Sequence, residues 1–130
     1  MDLLRPKLAV FGEVAVEVPY RLFPEFDLRA SDVAVISRER WIAINLEEDL
    51  RGAPELVIEV ISPSNTKATL RETVSLCLNN GARECWLVDR KKKSVTVIRK
   101  DGTSWIYERD AEIPLAAFDS DSLSVAEIFA

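Results

Sequence analysis

In PELVIEVISPSN (Pro54–Asn65), an apolar run of Leu56, Val57, Ile58, Val60 and Ile61 is interrupted by one acid, Glu59. The run is rich in β-branched residues and ends at Ser62-Pro63, so it reads as a buried strand over Glu55–Ile61. A carboxylate inside such a strand needs a partner, because acids are almost never fully buried unless paired. Side chains alternate along a strand, which places Glu55, Val57, Glu59 and Ile61 on one face. Glu55 and Glu59 are then roughly 13 Å apart and cannot share one ion unaided. The partner of Glu59 has to come from another element.

Asp32 opens a second short apolar strand, DVAVI (32–36), much as Glu55 opens LVIEVI. If the two strands lie side by side, Asp32 approaches Glu59. Two converging carboxylates repel unless a cation or a shared proton intervenes. Magnesium suits such a place, since it takes a few carboxylates together with waters and phosphate oxygens. The competing reading is an ordinary salt bridge between Glu59 and a lysine or arginine, with Asp32 as a strand-start cap.

Downstream, Ser62–Asn65 supplies helix-capping oxygens, and a helix is expected from about Thr66 to Asn80 with Leu70, Val74, Cys77 and Leu78 on one face. Gly81 ends it. ECWLVD and SVTVIRK read as strands joined through the basic turn, and Asp101-Gly102 marks a hairpin into TSWIYE. Upstream, residues 8–20 alternate as a strand, and 45–53 form a polar, acidic connection. The tail FDSDSLSVAEIFA reads as an acidic, serine-rich cap before a short amphipathic helix. The strand–helix–strand unit from Glu55 to Asp89 has the length a parallel crossover needs. The expected fold class is therefore α/β, bordering α+β, with a central mixed sheet flanked by helices.

With 130 residues, 48% hydrophobic and 30% charged, the chain has the length and composition of one globular domain, residues 1–130. No apolar stretch reaches the ~18 residues of a membrane span, and the N-terminus is a poor secretory signal. The two cysteines and the absence of histidine leave no histidine triad and no cysteine–histidine metal site. A reduced, cytoplasmic protein with structural thiols is expected. The net charge of −5 argues against a non-specific nucleic-acid binder, though the run Arg90–Lys93 can still meet phosphates. Lone Trp41 and Trp105 do not make a base-stacking platform.

The succession SDVAVIS (31–37), GAPELVIEVISPSN (52–65), a helix, NNGARECWLVDRKKKSVTVIRKDG (79–102) and the closing SLSVAEIFA resembles the Uma2 family, also called DUF820. That family has the PD-(D/E)XK, restriction-endonuclease-like fold. The resemblance implies metal-dependent phosphodiester hydrolysis on DNA, with Asp32 and Glu59 as the metal-binding carboxylates and Mg²⁺ or Mn²⁺ as the ion. It also shows departures. The lysine of the motif, two residues after the glutamate, is Ile61 here. The helix position where Uma2-like sequences carry lysine is Thr73, the tyrosine one turn later is Cys77, an aspartate near the helix start is Thr69, and the proline before the first aspartate is Ser31. The family's longer N-terminal region, with its helix, is largely missing. Lys67, in the first helical turn, is then the candidate catalytic cation, with a solvated lysine as the competing reading. Two functions follow: a Mg²⁺-dependent endonuclease using Asp32, Glu59 and Lys67, or an inactive nuclease-fold module for binding or homodimer assembly. Trp86 is expected to pack against the helix and Asp89 to cap the basic turn.

Overall fold

A central strand buried on both faces organises the chain. The computed structural model describes residues 3–22, 27–43 and 50–130. In chain order these form α1 (Leu4–Leu8), β1 (Gly12–Leu22), β2 (Asp27–Ser37), α2 (Arg38–Ala43), β3 (Leu50–Arg51), β4 (Leu56–Val60), α3 (Lys67–Asn79), β5 (Glu84–Asp89), β6 (Ser94–Arg99), β7 (Ser104–Glu108), β8 (Glu112–Pro114), a 3₁₀ turn (Ala116–Phe118), β9 (Ser122–Ser124) and α4 (Val125–Ile128). Seven strands make one mixed sheet in the order β3-β1-β2-β4-β5-β6-β7, and β8 pairs with β9 in a separate small sheet. The α/β expectation holds.

β4 sits at the middle. It runs antiparallel to β2 through Val33↔Ile58 and Val35↔Leu56, and parallel to β5 through Ile58↔Trp86 and Val60↔Val88. The crossover between β4 and β5 is α3, as the spacing of the strand–helix–strand unit requires. Leu56, Val57 and Ile58 are all buried, which is why this strand reads as a continuous apolar run rather than an alternating one.

Two cores flank the sheet. Val57, Ile36, Tyr20 and Cys85 pack with Val74 and Cys77 of α3. On the opposite face Leu56, Ile58, Val33 and Val35 join Trp86, Val88, Leu4 and Leu8 of α1, and Ile113, Leu115, Phe118, Leu123 and Val125 of the C-terminal segment. Trp86 is therefore core, but not against α3. Cys85 faces the helix, and the strand's two-residue period turns Trp86 the other way, where its Nε1 donates to Glu84 Oε1 at 2.9 Å.

Several boundaries differ from expectation. The N-terminal segment begins with a short helix whose Leu4 and Leu8 are fully buried, and its strand starts only at Gly12. The N-cap of α3 is Thr66, closing a reciprocal box with Thr69. Ser62 and Asn65 are engaged one turn earlier, where Asn65 Oδ1 accepts from the Ser62 amide at 2.8 Å. Gly81, at φ 107°, does follow the helix end. The serine-rich tail forms β9, and Ser124 makes no side-chain cap of α4; the Val125 amide donates instead to the Ala111 carbonyl. Of the acidic connection over 45–53, residues 45–49 lie outside the described residues.

Glu55 is settled by α2. Its Oε1 accepts from Arg40 Nη1 at 2.7 Å, while the same guanidinium binds the carbonyls of Arg51 and Ala53. This ties α2 to the entry of β4 and removes Glu55 from any ion-binding set. Truncating the large side chain at the centre of the opposite core tests the two-layer packing: Trp86→Ala should cost about 3–5 kcal/mol in urea unfolding.

Candidate carboxylate site

Asp32 and Glu59 meet because of strand register. The last recorded β2–β4 pair is Val33↔Ile58, so the next step brings Asp32 opposite Glu59 on the α3 face, where directly opposed side chains lie close. Asp32 Oδ2 accepts from the Val60 amide at 2.7 Å. The Glu59 carboxyl in turn accepts from the Asp32 backbone amide and hydrogen-bonds the Asp32 side chain. The two acids are thus bound to each other's strand and to each other.

This arrangement carries an electrostatic cost. Burial and then the adjacent Asp32 charge and hydrogen bond push the Glu59 carboxyl up to about 8. At neutral pH Glu59 holds a proton and donates it to Asp32, since two carboxyls in contact do not both ionise without a counter-charge.

Beneath the pair the surroundings are neutral. The Tyr20 hydroxyl lies 3.4 Å from Cys77 Sγ, and Cys77 hydrogen-bonds Cys85. Burial, with Cys77 beside it, drives the Tyr20 hydroxyl far above its ordinary range. The Cys77 hydrogen bond and burial do the same to the Cys85 thiol. Both cysteines are buried and unbridged, matching the structural-thiol expectation.

Two hollows open at the acids. A small cavity of about 140 Å³ is lined by Glu59, Tyr20, Asn65, Thr69, Leu70 and Thr73. The position where the family pattern calls for lysine therefore does face Glu59, and it holds a threonine. Lys67 is exposed and is not among the residues lining that cavity. Asp32 instead borders a larger, open cavity of about 760 Å³ with Glu17, Val60, Ser62, Arg90 and Lys91.

Glu17 falls within the stretch 8–20 that alternates as a strand, and the structure brings it to the site. It lies between the pairs Val16↔Val33 and Val18↔Ser31, hence across from Asp32, with a left-handed φ of 52°. Nothing in a local pattern announces that conformation, which is uncommon for a residue other than glycine. Ser31, in the family's proline position, is buried with its hydroxyl unpartnered among the described residues. Asp89 behaves as expected: its Oδ1 accepts from the amides of Lys91 and Lys92 at 3.0 and 3.1 Å. Among the described residues no group of three or more cysteine, aspartate or glutamate side chains converges as a ready-made metal cage, and no helix is long and apolar enough to cross a membrane.

The sign of the pH effect is fixed by the raised Glu59 value. Between 4.5 and about 8 the folded chain keeps a proton that the unfolded chain has released, so stability falls as pH rises through that window. Thermal melts from about pH 5 to about pH 8 should show a declining midpoint, and Glu59→Gln should flatten that decline.

Comparison with known proteins bears on this geometry. The Uma2 family model, described as "Putative restriction endonuclease", matches residues 2–126. A crystal structure of a "putative nuclease belonging to DUF820" from Anabaena variabilis superimposes with a TM-score of 0.78 at 21% identity, over 98% of this chain and 72% of that one. It shares the nuclease-like fold. Among curated proteins none matches the chain. With the family model spanning nearly its whole length, the chain belongs to the Uma2 family of restriction-endonuclease-like proteins.

Proposed function

We propose that the chain is a divalent-cation-dependent DNA endonuclease working at the Asp32–Glu59 pair. The observation that carries this reading is the hydrogen-bonded contact of Glu59 with Asp32, which borders an open cavity, in a Uma2 chain. The donor set fits a hard cation: oxygen-only ligands, two of them already together, with space beside them for water and phosphate. Asp32 and Glu59 would hold Mg²⁺ or Mn²⁺, which supplies an acidified water and offsets charge on the scissile phosphate.

The chain's own residues set the conditions for that chemistry. Glu59 has to release its shared proton before it can serve as a charged ligand, so ion binding strengthens as pH rises toward 8. The Val60 amide holds Asp32 in orientation. Lys67, on the first turn of α3, would reach the bound phosphodiester from solvent and stabilise its charge. Thr73 puts no charge in the cavity at Glu59, so the expected turnover is low.

That same threonine favours a second reading: a nuclease-fold module without catalysis, kept for binding or for homodimer assembly. A plasmid-nicking assay with Mg²⁺ or Mn²⁺ separates the two. On the endonuclease reading the wild type cuts, and Asp32→Asn or Glu59→Ala lowers the rate by about a hundredfold or more. Lys67→Ala lowers it by about tenfold or more, and Thr73→Lys raises it by a similar factor. A wild type that stays silent while Thr73→Lys cuts supports the second reading, whereas cleavage that survives Glu59→Ala removes the pair from the reaction.

A further inference from the structure

The turn between β5 and β6 is more constrained than a charged hairpin needs to be. It consists of Arg90, Lys91, Lys92 and Lys93, closed by the pair Asp89↔Ser94. The Asp89 carboxylate holds two of its amides, and Lys93 takes a left-handed φ of 50°. The backbone that carries four consecutive cations is thereby held in one conformation although their charges repel. All four are exposed, and none of their side chains has an ion-pair or hydrogen-bond partner among the described residues. The nearest acid in sequence, Asp89, accepts from two amides of the turn and makes no ion pair with these side chains.

The turn also lies in a particular place. β4 and β5 are parallel, and both end at the cavity that Asp32 borders, through Val60 and Asp89. Ligands of open α/β sheets bind in the crevice beyond the carboxyl ends of parallel strands. Of the four cations, Arg90 and Lys91 line this crevice; Lys92 and Lys93 border a different one, beside Glu108 and Arg109. The crevice therefore has Glu17 and Asp32 at its β1–β2 side and Asp89, Arg90 and Lys91 at its β5 side, which is where its two cations lie. The gap of about 760 Å³ has room for a strand of phosphodiesters between them.

We propose that Arg90 and Lys91 are the DNA-backbone-binding residues of this site, gripping phosphates adjacent to the one presented to Asp32 and Glu59. The assignment rests on the endonuclease reading for its substrate. The net charge of −5 opposes DNA at long range, so the grip has to be local and steeply salt-dependent. The Asp89 carboxylate accepts from the Lys91 and Lys92 amides and so shapes the backbone of the turn that carries both cations.

The test is binding of a fluorescein-labelled DNA duplex, read by anisotropy across a NaCl series in Ca²⁺ buffer. The wild type is compared with Arg90→Ala/Lys91→Ala and with Lys92→Ala/Lys93→Ala, which removes the same charge from the same turn outside the crevice. The first double variant should bind more weakly, with the slope of log K against log[NaCl] shallower by about 1.8, the value for two lost phosphate contacts. The second should shift the slope by less than half as much. Equal slopes for the wild type and the first variant, equal effects of the two double variants, or no measurable duplex binding by the wild type would each overturn the proposal. The cleavage assay is read separately: a wild type that binds with the predicted slopes but does not cut refutes the endonuclease reading and leaves the backbone grip standing. One that cuts while Arg90→Ala/Lys91→Ala binds unchanged does the reverse.

Discussion

Two carboxyl groups held in contact on neighbouring strands impose one condition on the whole site: a positive charge has to be supplied, either as a proton or as a cation. The interaction is unfavourable in isolation, because both groups in ionised form would repel at short range with little water between them. The β2–β4 register nevertheless enforces it, and the reciprocal bonds to the Val60 and Asp32 amides lock each carboxyl to the opposite strand. Such a pair is a poor way to stabilise a fold and a good way to create a place that a cation can occupy. On the endonuclease reading, that asymmetry is what the site uses.

The rest of the molecule keeps this condition unmet by protein charges. α3 covers Glu59 with threonines and a leucine rather than a lysine. Below, tyrosine and two thiols stay neutral because they are buried and bound to one another. Arg40 is held at the far end of β4 by Glu55 and two carbonyls. Arg90 and Lys91, whose side chains have no ion-pair or hydrogen-bond partner among the described residues, border the same open crevice as Asp32.

Much of this was legible from residue order. An apolar run broken by one acid, a second strand opening with an acid, and a helix-length crossover together place Asp32 beside Glu59, since register and strand parity leave little freedom. The helical face of Val74 and Cys77 was equally readable from its spacing. What escaped depends on distant partners. α1 contains a proline and is only five residues long, so only the burial of Leu4 and Leu8 against the sheet explains it. The strands β8 and β9 are three residues each and exist by pairing with one another. Trp86 was placed on the wrong face because an apolar strand buried on both sides conceals its parity. The reach of Lys67 could not be judged from spacing either: it stands exposed at the helix start, outside the cavity that Thr73 and Glu59 share.

The central claim, that Glu59 holds a proton shared with Asp32 which a divalent cation displaces, is open to direct observation. Carbon-13 NMR of the labelled Glu59 side-chain carboxyl, followed through a pH titration without added metal, should give a midpoint near 8. Repeating the titration in Mg²⁺ should move that midpoint downward. A midpoint at the ordinary value of 4.5, unmoved by Mg²⁺, would contradict the account.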